Sequence, residues 1–146
     1  MTQRVVVVVD MQNGVFATPR FDRAGCAVRI NQLTAAADST LFITHREGEM
    51  QPGTQAFELL PELHQPAGSF YVTKTACDSF WQTELVGAGL GYRITVAADA
   101  HTTANRTCVS AEQLIGQHNE VWAGLSLPGN VPLVLTTAEI VSGWTS

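Results

Sequence analysis

Residues 4–16, RVVVVVDMQNGVF, place one acidic side chain directly after an apolar run. The five valines Val5–Val9 show no alternation of apolar and polar positions, which is typical of a strand buried on both faces of a parallel sheet. Asp10 ends this run. Its carboxylate either forms a turn with the backbone of Gln12 or takes part in chemistry at the end of the strand.

Length and composition are those of one globular domain. The chain has 146 residues, of which 45% are hydrophobic, and a formal net charge of −5. We therefore expect a single domain over 1–146. The acidic balance argues against nucleic acid and anionic membranes as partners. No apolar run approaches the ~20 residues of a membrane span, and Asp10 interrupts the N-terminal run, so no signal peptide is expected.

Cysteine and histidine positions give no pattern of a disulfide framework or a metal site. Cys26, Cys77 and Cys108 are neither paired nor closely spaced. Reduced thiols are the simplest account, so we expect a cytoplasmic location. A zinc site needs three protein ligands, and the segment THREGEM around His45 contains no second histidine. No metal is expected.

Strands and helices are predicted to alternate along the chain. Apolar runs predict strands at Val5–Val9, 41–44, 70–73, 92–97 and 131–135. Helical spacing predicts helices at 22–37 and 111–125, and segments 57–63 and 78–85 are candidates for shorter helices. This order predicts an α/β domain with a parallel sheet and right-handed crossovers.

Four polar residues fall at or just past the predicted strand ends: Asp10, His45, Lys74 and Asp99. Ligands of such sheets bind outside the carboxyl ends of the strands. Asp10 and Lys74 are expected to form an ion pair in a cleft, where the lysine lowers the pKa of a nearby thiol and the carboxylate accepts its proton. The alternative for Lys74 is a solvated strand end. His45 is interpreted as a loop or pocket-wall residue, and Asp99 as a structural residue that holds the following loop.

Three aromatic residues flank the predicted cleft: Phe16, Phe80 and Trp81. Each is a core residue by default. As an aromatic lining they would suit a planar or apolar substrate, so they are the predicted substrate-binding residues.

Three segments, in this order, resemble the isochorismatase-like cysteine hydrolases, a superfamily that includes nicotinamidases and N-carbamoyl amidohydrolases. They are VVDMQNGVF, VTKTACDSF and GYRITVAADAHTT. The resemblance implies a three-layer α/β/α fold of Rossmann-like topology, chemistry without a cofactor, and a homo-oligomer. It also implies a catalytic triad of Asp, Lys and Cys. Asp10 matches the aspartate that takes the thiol proton, and Lys74 matches the lysine that supports the thiolate.

The family's strand and helix that carry the nucleophilic cysteine are absent from this sequence. The interval in which they belong is only TELVGAGLGY, whereas a strand, a helix and their connections take roughly 25–30 residues. The resemblance implies that the absent strand lies beside the strand Val5–Val9 in the sheet. Without it, Val5–Val9 would lose one neighbouring strand. Either the sheet closes differently, another subunit fills the gap, or the sequence is shorter than the natural chain. We expect the third.

Cys77, three residues after Lys74, is the candidate substitute for the nucleophile. Its alternative role is a small apolar side chain at a helix start. The first functional hypothesis is a hydrolase of a small amide, carbamoyl or vinyl-ether substrate that uses Asp10, Lys74 and a cysteine. The second is a catalytically inactive family member that binds a small ligand or a partner subunit. A third, a flavodoxin-like binding domain, lacks the Gly-rich phosphate loop after the first strand.

Overall fold

The computed structural model describes residues 2–75, 92–124 and 131–146. The strands in this part of the chain are β1 (Val5–Val9), β2 (Ser39–His45), β3 (Phe70–Lys74), β4 (Thr95–Ala97) and β5 (Leu133–Leu135). The helices are α1 (Arg23–Ala36), α2 (Ala111–Ala123) and α3 (Thr137–Thr145), with a 3₁₀ turn at Val15–Ala17. None of these helices is long and apolar enough to cross a membrane.

All described strand pairs are parallel. Strands β1, β2 and β3 form one sheet in that order, with Val9 opposite Ile43 and His45 opposite Lys74. Strands β4 and β5 form a second, two-stranded sheet. The predicted α/β class and parallel pairing are confirmed, and the carboxyl ends of β1, β2 and β3 meet at one edge.

The valine strand is buried on one face only. Val6 and Val8 are 9% and 4% exposed, whereas Val5, Val7 and Val9 are 48%, 43% and 42% exposed. The prediction of burial on both faces is wrong, because alternate side chains point to opposite faces and only one face of β1 is covered. Among the described strands β1 pairs with β2 alone, and the expected loss of one neighbouring strand stays a prediction.

Helix α1 packs its apolar side into the core that β1 helps to form. Ala27, Ile30 and Leu33, which the sequence places on one side of the helix, are at most 5% exposed. Burial of a side chain such as Ile30 or Leu33 stabilises the fold by about 1.5–3 kcal/mol. The helix begins after Asp22, whose carboxylate accepts a hydrogen bond from the amide of Gly25 and so satisfies one free donor of the first turn.

Residues 57–63 form turns, and the prediction of a short helix there is wrong. Pro61 has no amide hydrogen to give to a helix. The backbone of this stretch pairs instead with the loop after β1, where Leu60 N donates to Met11 O at 2.9 Å. Tertiary hydrogen bonds therefore replace the local ones that a helix would need.

Several boundaries differ from the predicted ones by a few residues. Strand β4 begins at Thr95 and β5 at Leu133, and helix α2 ends at Ala123. The predicted helical segment 78–85 and the predicted helix end at Leu125 lie outside the described residues.

Helix α3 is an element that the apolar pattern does not predict. It begins with a capping box, in which Glu139 N donates to Thr136 Oγ1 and Thr136 N donates to Glu139 Oε2. A threonine followed three residues later by glutamate, before an apolar stretch, is a helix-start signature. The sequence TTAE at 136–139 therefore contained the information that locates this helix.

Candidate active site

The carboxyl ends of the first three strands bring three of the four predicted edge residues together. Asp10 follows β1 directly, and His45 and Lys74 are the last residues of β2 and β3. His45 and Lys74 are partners in the parallel ladder, so their side chains leave the same face of the sheet. Asp99 instead follows β4, which belongs to the other described sheet.

Asp10 and Lys74 form the ion pair that the sequence predicts. Lys74 Nζ donates to Asp10 Oδ2 at 2.9 Å. The lysine side chain is 1% exposed and the aspartate side chain 33% exposed. An ammonium group is rarely buried so deeply without an opposite charge. Lys74 is therefore not a solvated strand end, and the pair links the ends of β1 and β3 across β2.

The Asp10 carboxylate does not form the alternative turn with Gln12. The amide of Gln12 donates to the backbone oxygen of Asp10 at 2.9 Å. Oδ2 of Asp10 is bound to Lys74, while Oδ1 is buried and has no hydrogen-bond partner among the described residues. The backbone of Asp10 has a φ of 56°, a left-handed conformation that aspartate and asparagine adopt more readily than most residues. An unsatisfied buried oxygen is typical of a functional site.

Gln12, which is not among the residues predicted from the sequence, supports this edge. The residue is fully buried. Its Oε1 accepts from His45 N at 2.6 Å, and its Nε2 donates to His45 O at 3.1 Å and to Phe57 O at 2.7 Å. The amide thus takes the place of a neighbouring strand for the last residue of β2 and fixes the loop that carries Asp10. Gln12 is the third residue after β1, and its local sequence has no signal that separates a buried amide from a solvated one.

His45 lies at the same edge with its ring nitrogens in different environments. The residue is 8% exposed. Its Nε2 is 2.9 Å from Oε2 of Glu47, while its Nδ1 is buried without a hydrogen-bond partner. Asp10 Oδ1 and His45 Nδ1 are the two buried side-chain polar atoms left unsatisfied in the described part of the chain.

Asp99 holds the start of helix α3 rather than the loop that follows it. Its Oδ1 accepts from both the amide and the hydroxyl of Thr137 at 2.8 Å. Arg29 Nε also donates to the backbone oxygen of Asp99. Asp99 thus makes structural contacts, as interpreted from the sequence, but its side chain binds the start of α3 and not the loop that was predicted. A carboxylate is favourable at a helix N-terminus because the helix dipole is positive there.

The Cys26 thiol is not activated. Cys26 lies in helix α1 at 1% exposure, and burial raises the pKa of its thiol to about 11. It lines a cavity of about 320 Å³ together with Arg29 and Asp99. Cys108 is exposed, and Cys77 lies outside the described residues.

The predicted aromatic lining is only partly described. Phe16 packs in the hydrophobic core at 8% exposure, with the Arg23 guanidinium carbon 5.5 Å from its ring centre, and its substrate contact stays a prediction. Phe80 and Trp81 lie outside the described residues. Two other aromatic residues, Phe57 and Tyr71, line a cavity of about 500 Å³; they are not among the residues predicted from the sequence.

Potential metal ligands do not cluster in the part of the chain that the structure describes. No group of three or more His, Cys, Asp or Glu side chains there could hold a metal ion. At the strand ends, the carboxylate of Asp10 balances the positive charge of the buried Lys74 side chain.

Solved structures with a similar fold include several isochorismatase proteins. A crystal structure of an isochorismatase family protein matches with a TM-score of 0.80 and 22% identity, over 93% of this chain and 99% of that one. A candidate isochorismatase hydrolase from Oleispira antarctica matches with a TM-score of 0.79 and 20% identity, over 98% of this chain and 100% of that one. A cysteine hydrolase from Pseudomonas syringae pv. phaseolicola 1448A matches with a TM-score of 0.75 and 16% identity, over 97% of this chain and 92% of that one. At identities this low, the structural matches show the fold alone, which is an isochorismatase-like α/β fold.

The family is established by the sequence itself. None of the curated proteins matches this chain. The family model of the isochorismatase domain matches residues 4–89, which is more than half of the 146 residues and includes Asp10 and Lys74. The resemblance carried by the sequence motifs is confirmed, and the chain belongs to the isochorismatase domain family.

Proposed function

We propose that this chain is a hydrolase that acts on a small amide, carbamoyl or vinyl-ether substrate. The proposal is carried by the buried ion pair between Asp10 Oδ2 and Lys74 Nζ, which leaves Asp10 Oδ1 without a described partner. A carboxylate held in place by a buried ammonium is suited to take and return a proton. The proposed chemistry needs a cysteine nucleophile and no cofactor. A cytoplasmic location and a homo-oligomeric state belong to the same proposal.

In this proposal Asp10 is the general base and Lys74 supports the thiolate. For an amide, the thiol proton passes to Asp10 Oδ1 and the sulfur bonds to the carbonyl carbon. The carbon–nitrogen bond then breaks, and the leaving nitrogen takes the proton from Asp10, so that an acyl-enzyme remains. Water next gives a proton to Asp10 while its oxygen bonds to the acyl carbon. The sulfur leaves as a thiolate and recovers this proton. The Lys74 charge lowers the free energy of the thiolate.

The cysteine that supplies the nucleophilic thiol has to be identified by experiment. Cys26 does not suit the role, because a pKa of about 11 leaves about one thiolate in 10⁴ thiols at pH 7. Cys108 is exposed in the loop before α2. Cys77 follows Lys74 by three residues, so it is the thiol to replace first.

The test is turnover of three probes by the purified chain: a primary amide, an N-carbamoyl amino acid and a vinyl ether. We expect hydrolysis of at least one probe and a loss of about 10²–10⁴-fold in kcat/KM for Asp10→Asn, the usual contribution of a general base. Cys77→Ser should abolish turnover if its sulfur is the nucleophile, and Cys108→Ser is the matched control that should retain it. Equal turnover by the unchanged chain and Asp10→Asn contradicts the proposal.

A second function, binding of a small ligand or partner subunit without catalysis, is favoured by the uncovered side of β1. Val5, Val7 and Val9 form an exposed apolar row there, and exposed apolar surface of this kind marks interaction sites. In this case calorimetry would detect binding of a probe that the chain never hydrolyses. Hydrolysis that Asp10→Asn abolishes excludes this function.

A further inference from the structure

A cavity of about 320 Å³ lies between helices α1 and α2 at the carboxyl end of β4. Ala98 and Asp99, which follow β4, line it, whereas Asp10, His45 and Lys74 do not. Its volume is at the lower end of the range for small-molecule sites, and ligands of parallel sheets bind outside the carboxyl ends of the strands. The cavity is therefore a candidate binding site separate from the proposed active site.

The charged side chains of this cavity favour a cation. Among the described residues, three carboxylates line it, those of Asp22, Asp99 and Glu112. The guanidinium of Arg29 opposes them, but it is already bound, since it donates to Asp22 Oδ2 at 2.6 Å and to the backbone oxygen of Asp99. The side chain of Glu112 forms no hydrogen bond or ion pair within the described part of the chain. Its carboxylate is available to a ligand.

His101 adds an acceptor to the cavity, and its neighbour determines which ring nitrogen that is. Asn119 Nδ2 donates to Ala98 O at 3.0 Å, so Asn119 Oδ1 is the atom that faces His101 Nε2, at 2.8 Å. Because an amide oxygen accepts and does not donate, Nε2 carries the proton of the neutral ring. Nδ1 then presents a lone pair with which an N–H group of a ligand can pair.

Apolar groups line another part of the cavity. They include Phe21, which is 44% exposed, and Ile115. An aromatic ring attracts a cation that is held over its face. Gly116 of α2 lines the same cavity, and a Cβ placed on it would meet no atom of a neighbouring element within 4 Å. The body of a ligand therefore has room beside the charged groups.

We propose that this cavity binds a small organic cation, a primary ammonium on an apolar body. The ammonium donates to the carboxylate of Glu112 and to Nδ1 of His101. The apolar body packs against Phe21 and Ile115. A carboxylate ligand is disfavoured by the acidic lining, and a neutral ligand of the same shape lacks the charge pair with Glu112. The inference goes beyond the proposed hydrolase activity and does not depend on it, because it uses no residue of the proposed active site.

Calorimetry of the full chain at pH 8 with three probes of similar shape tests the charge preference. The cation is 2-phenylethylamine, the neutral analogue is 2-phenylethanol and the anion is phenylacetate. We expect 2-phenylethylamine to bind about tenfold more tightly than 2-phenylethanol, the gain from a hydrogen bond to a charged group. Phenylacetate should bind more weakly than either. Absence of 2-phenylethylamine binding, or equal or tighter binding of another probe, overturns the inference.

A variant that fills the cavity locates the site. Gly116→Leu should reduce the affinity for 2-phenylethylamine about tenfold or more, because the new side chain takes the space of the ligand. Helix α2 should be retained, since leucine is a better helix former than glycine. Gly143→Leu is the matched control, at a glycine of α3 that also has no neighbouring atom within 4 Å and does not line the cavity. Unchanged affinity in Gly116→Leu, or an equal loss in the control, overturns the inference.

A second variant assigns the preference to one carboxylate. Glu112→Gln keeps the shape of the side chain and removes its charge, so the affinity for 2-phenylethylamine should fall to within about threefold of that for 2-phenylethanol. Glu120→Gln removes the same charge from an exposed position of α2 outside the cavity and should retain the preference. Similar losses in the two variants would show attraction to the acidic chain as a whole and contradict the proposed site.

Two further readouts separate this cavity from the proposed active site. The ¹⁵N chemical shifts should show His101 Nδ1 unprotonated in the free protein and shifted by 2-phenylethylamine, while those of the exposed His64 stay unchanged. A protonated Nδ1 contradicts the assignment. Folded Asp10→Asn protein should bind 2-phenylethylamine as the unchanged chain does. Loss of binding in this variant would place the probe at the Asp10–Lys74 pair and overturn the inference.

Discussion

Asp10 and Lys74 are 64 positions apart in the chain, and their side chains meet at 2.9 Å across the middle strand of a three-stranded sheet. The two members of this pair are not equally buried. The lysine side chain is 1% exposed, while that of the aspartate is 33% exposed. Removal of the carboxylate therefore takes an opposite charge from a buried ammonium, whereas removal of the ammonium leaves a carboxylate that reaches water.

Asp10→Asn should consequently destabilise the fold by about 3 kcal/mol, near the lower end of the cost of breaking a buried pair. Asparagine is the right replacement because it tolerates the left-handed backbone. Lys74→Met should cost less, and the double variant should be more stable than Asp10→Asn alone. Urea denaturation of the unchanged chain, the two single variants and the double variant gives the four free energies of unfolding of a double-mutant cycle. Strict additivity of the two single changes would show that the pair has no coupling energy.

Gln12→Leu should destabilise the fold by about 3 kcal/mol. The change removes the partners of the buried N–H and C=O of His45, and each buried polar group left unsatisfied costs about 1–3 kcal/mol. Asn13→Ala is the matched control, since its Nδ2 donates to Gln55 O at an exposed position and its loss should cost less than 1 kcal/mol. Similar losses in the two variants would contradict the role assigned to the Gln12 amide.

The meeting of Asp10 and Lys74 could be predicted because it depends on topology alone. Parallel strands end at the same edge of a sheet, so polar residues just after apolar runs come together whatever the details of packing. The helix α1 could be predicted for a similar reason, since the spacing of Ala27, Ile30 and Leu33 fixes its buried side.

Other features depend on what packs against each element, and a single sequence does not contain that information. A row of valines has the same pattern whether one or both faces are covered, so the exposure of Val5, Val7 and Val9 was not predictable. The turns at 57–63 arise from hydrogen bonds to a loop distant in sequence. Gln12 was missed because a buried amide and a solvated one have the same local sequence.

Asp38 makes the stability of the fold depend on pH in the acid range. Its carboxylate binds the guanidinium and the backbone amide of Arg4 at 2.8 Å. The hydrogen bonds from Arg4 lower the pKa of Asp38 from 3.8 to about 2. A pKa lowered in the folded state gives stability that is present above the unfolded value and lost as pH falls through the folded one.

The unchanged chain should therefore lose more stability than Asp38→Asn between about pH 4 and pH 2, and the two free energies of unfolding should run parallel above about pH 5. Urea denaturation at stepped pH measures this difference. Since the pair is exposed, added salt should reduce the effect. A difference between the two proteins that stays constant down to pH 2 would rule out the pairing with Arg4 as the cause.

Iodoacetamide should modify Cys108 and spare Cys26, tested in a Cys77→Ser background. The thiolate is the reactive form of cysteine. Cys26 is 1% exposed and its pKa is raised to about 11 by burial, whereas Cys108 is exposed. Mass spectrometry after labelling at pH 8 should show one adduct, and additional replacement of Cys108 by serine should remove it. Unfolding in urea should then expose Cys26 to the reagent. An adduct on Cys26 in the folded chain would instead show that its thiol is accessible and reactive, and would make it a candidate nucleophile for the Asp10–Lys74 pair.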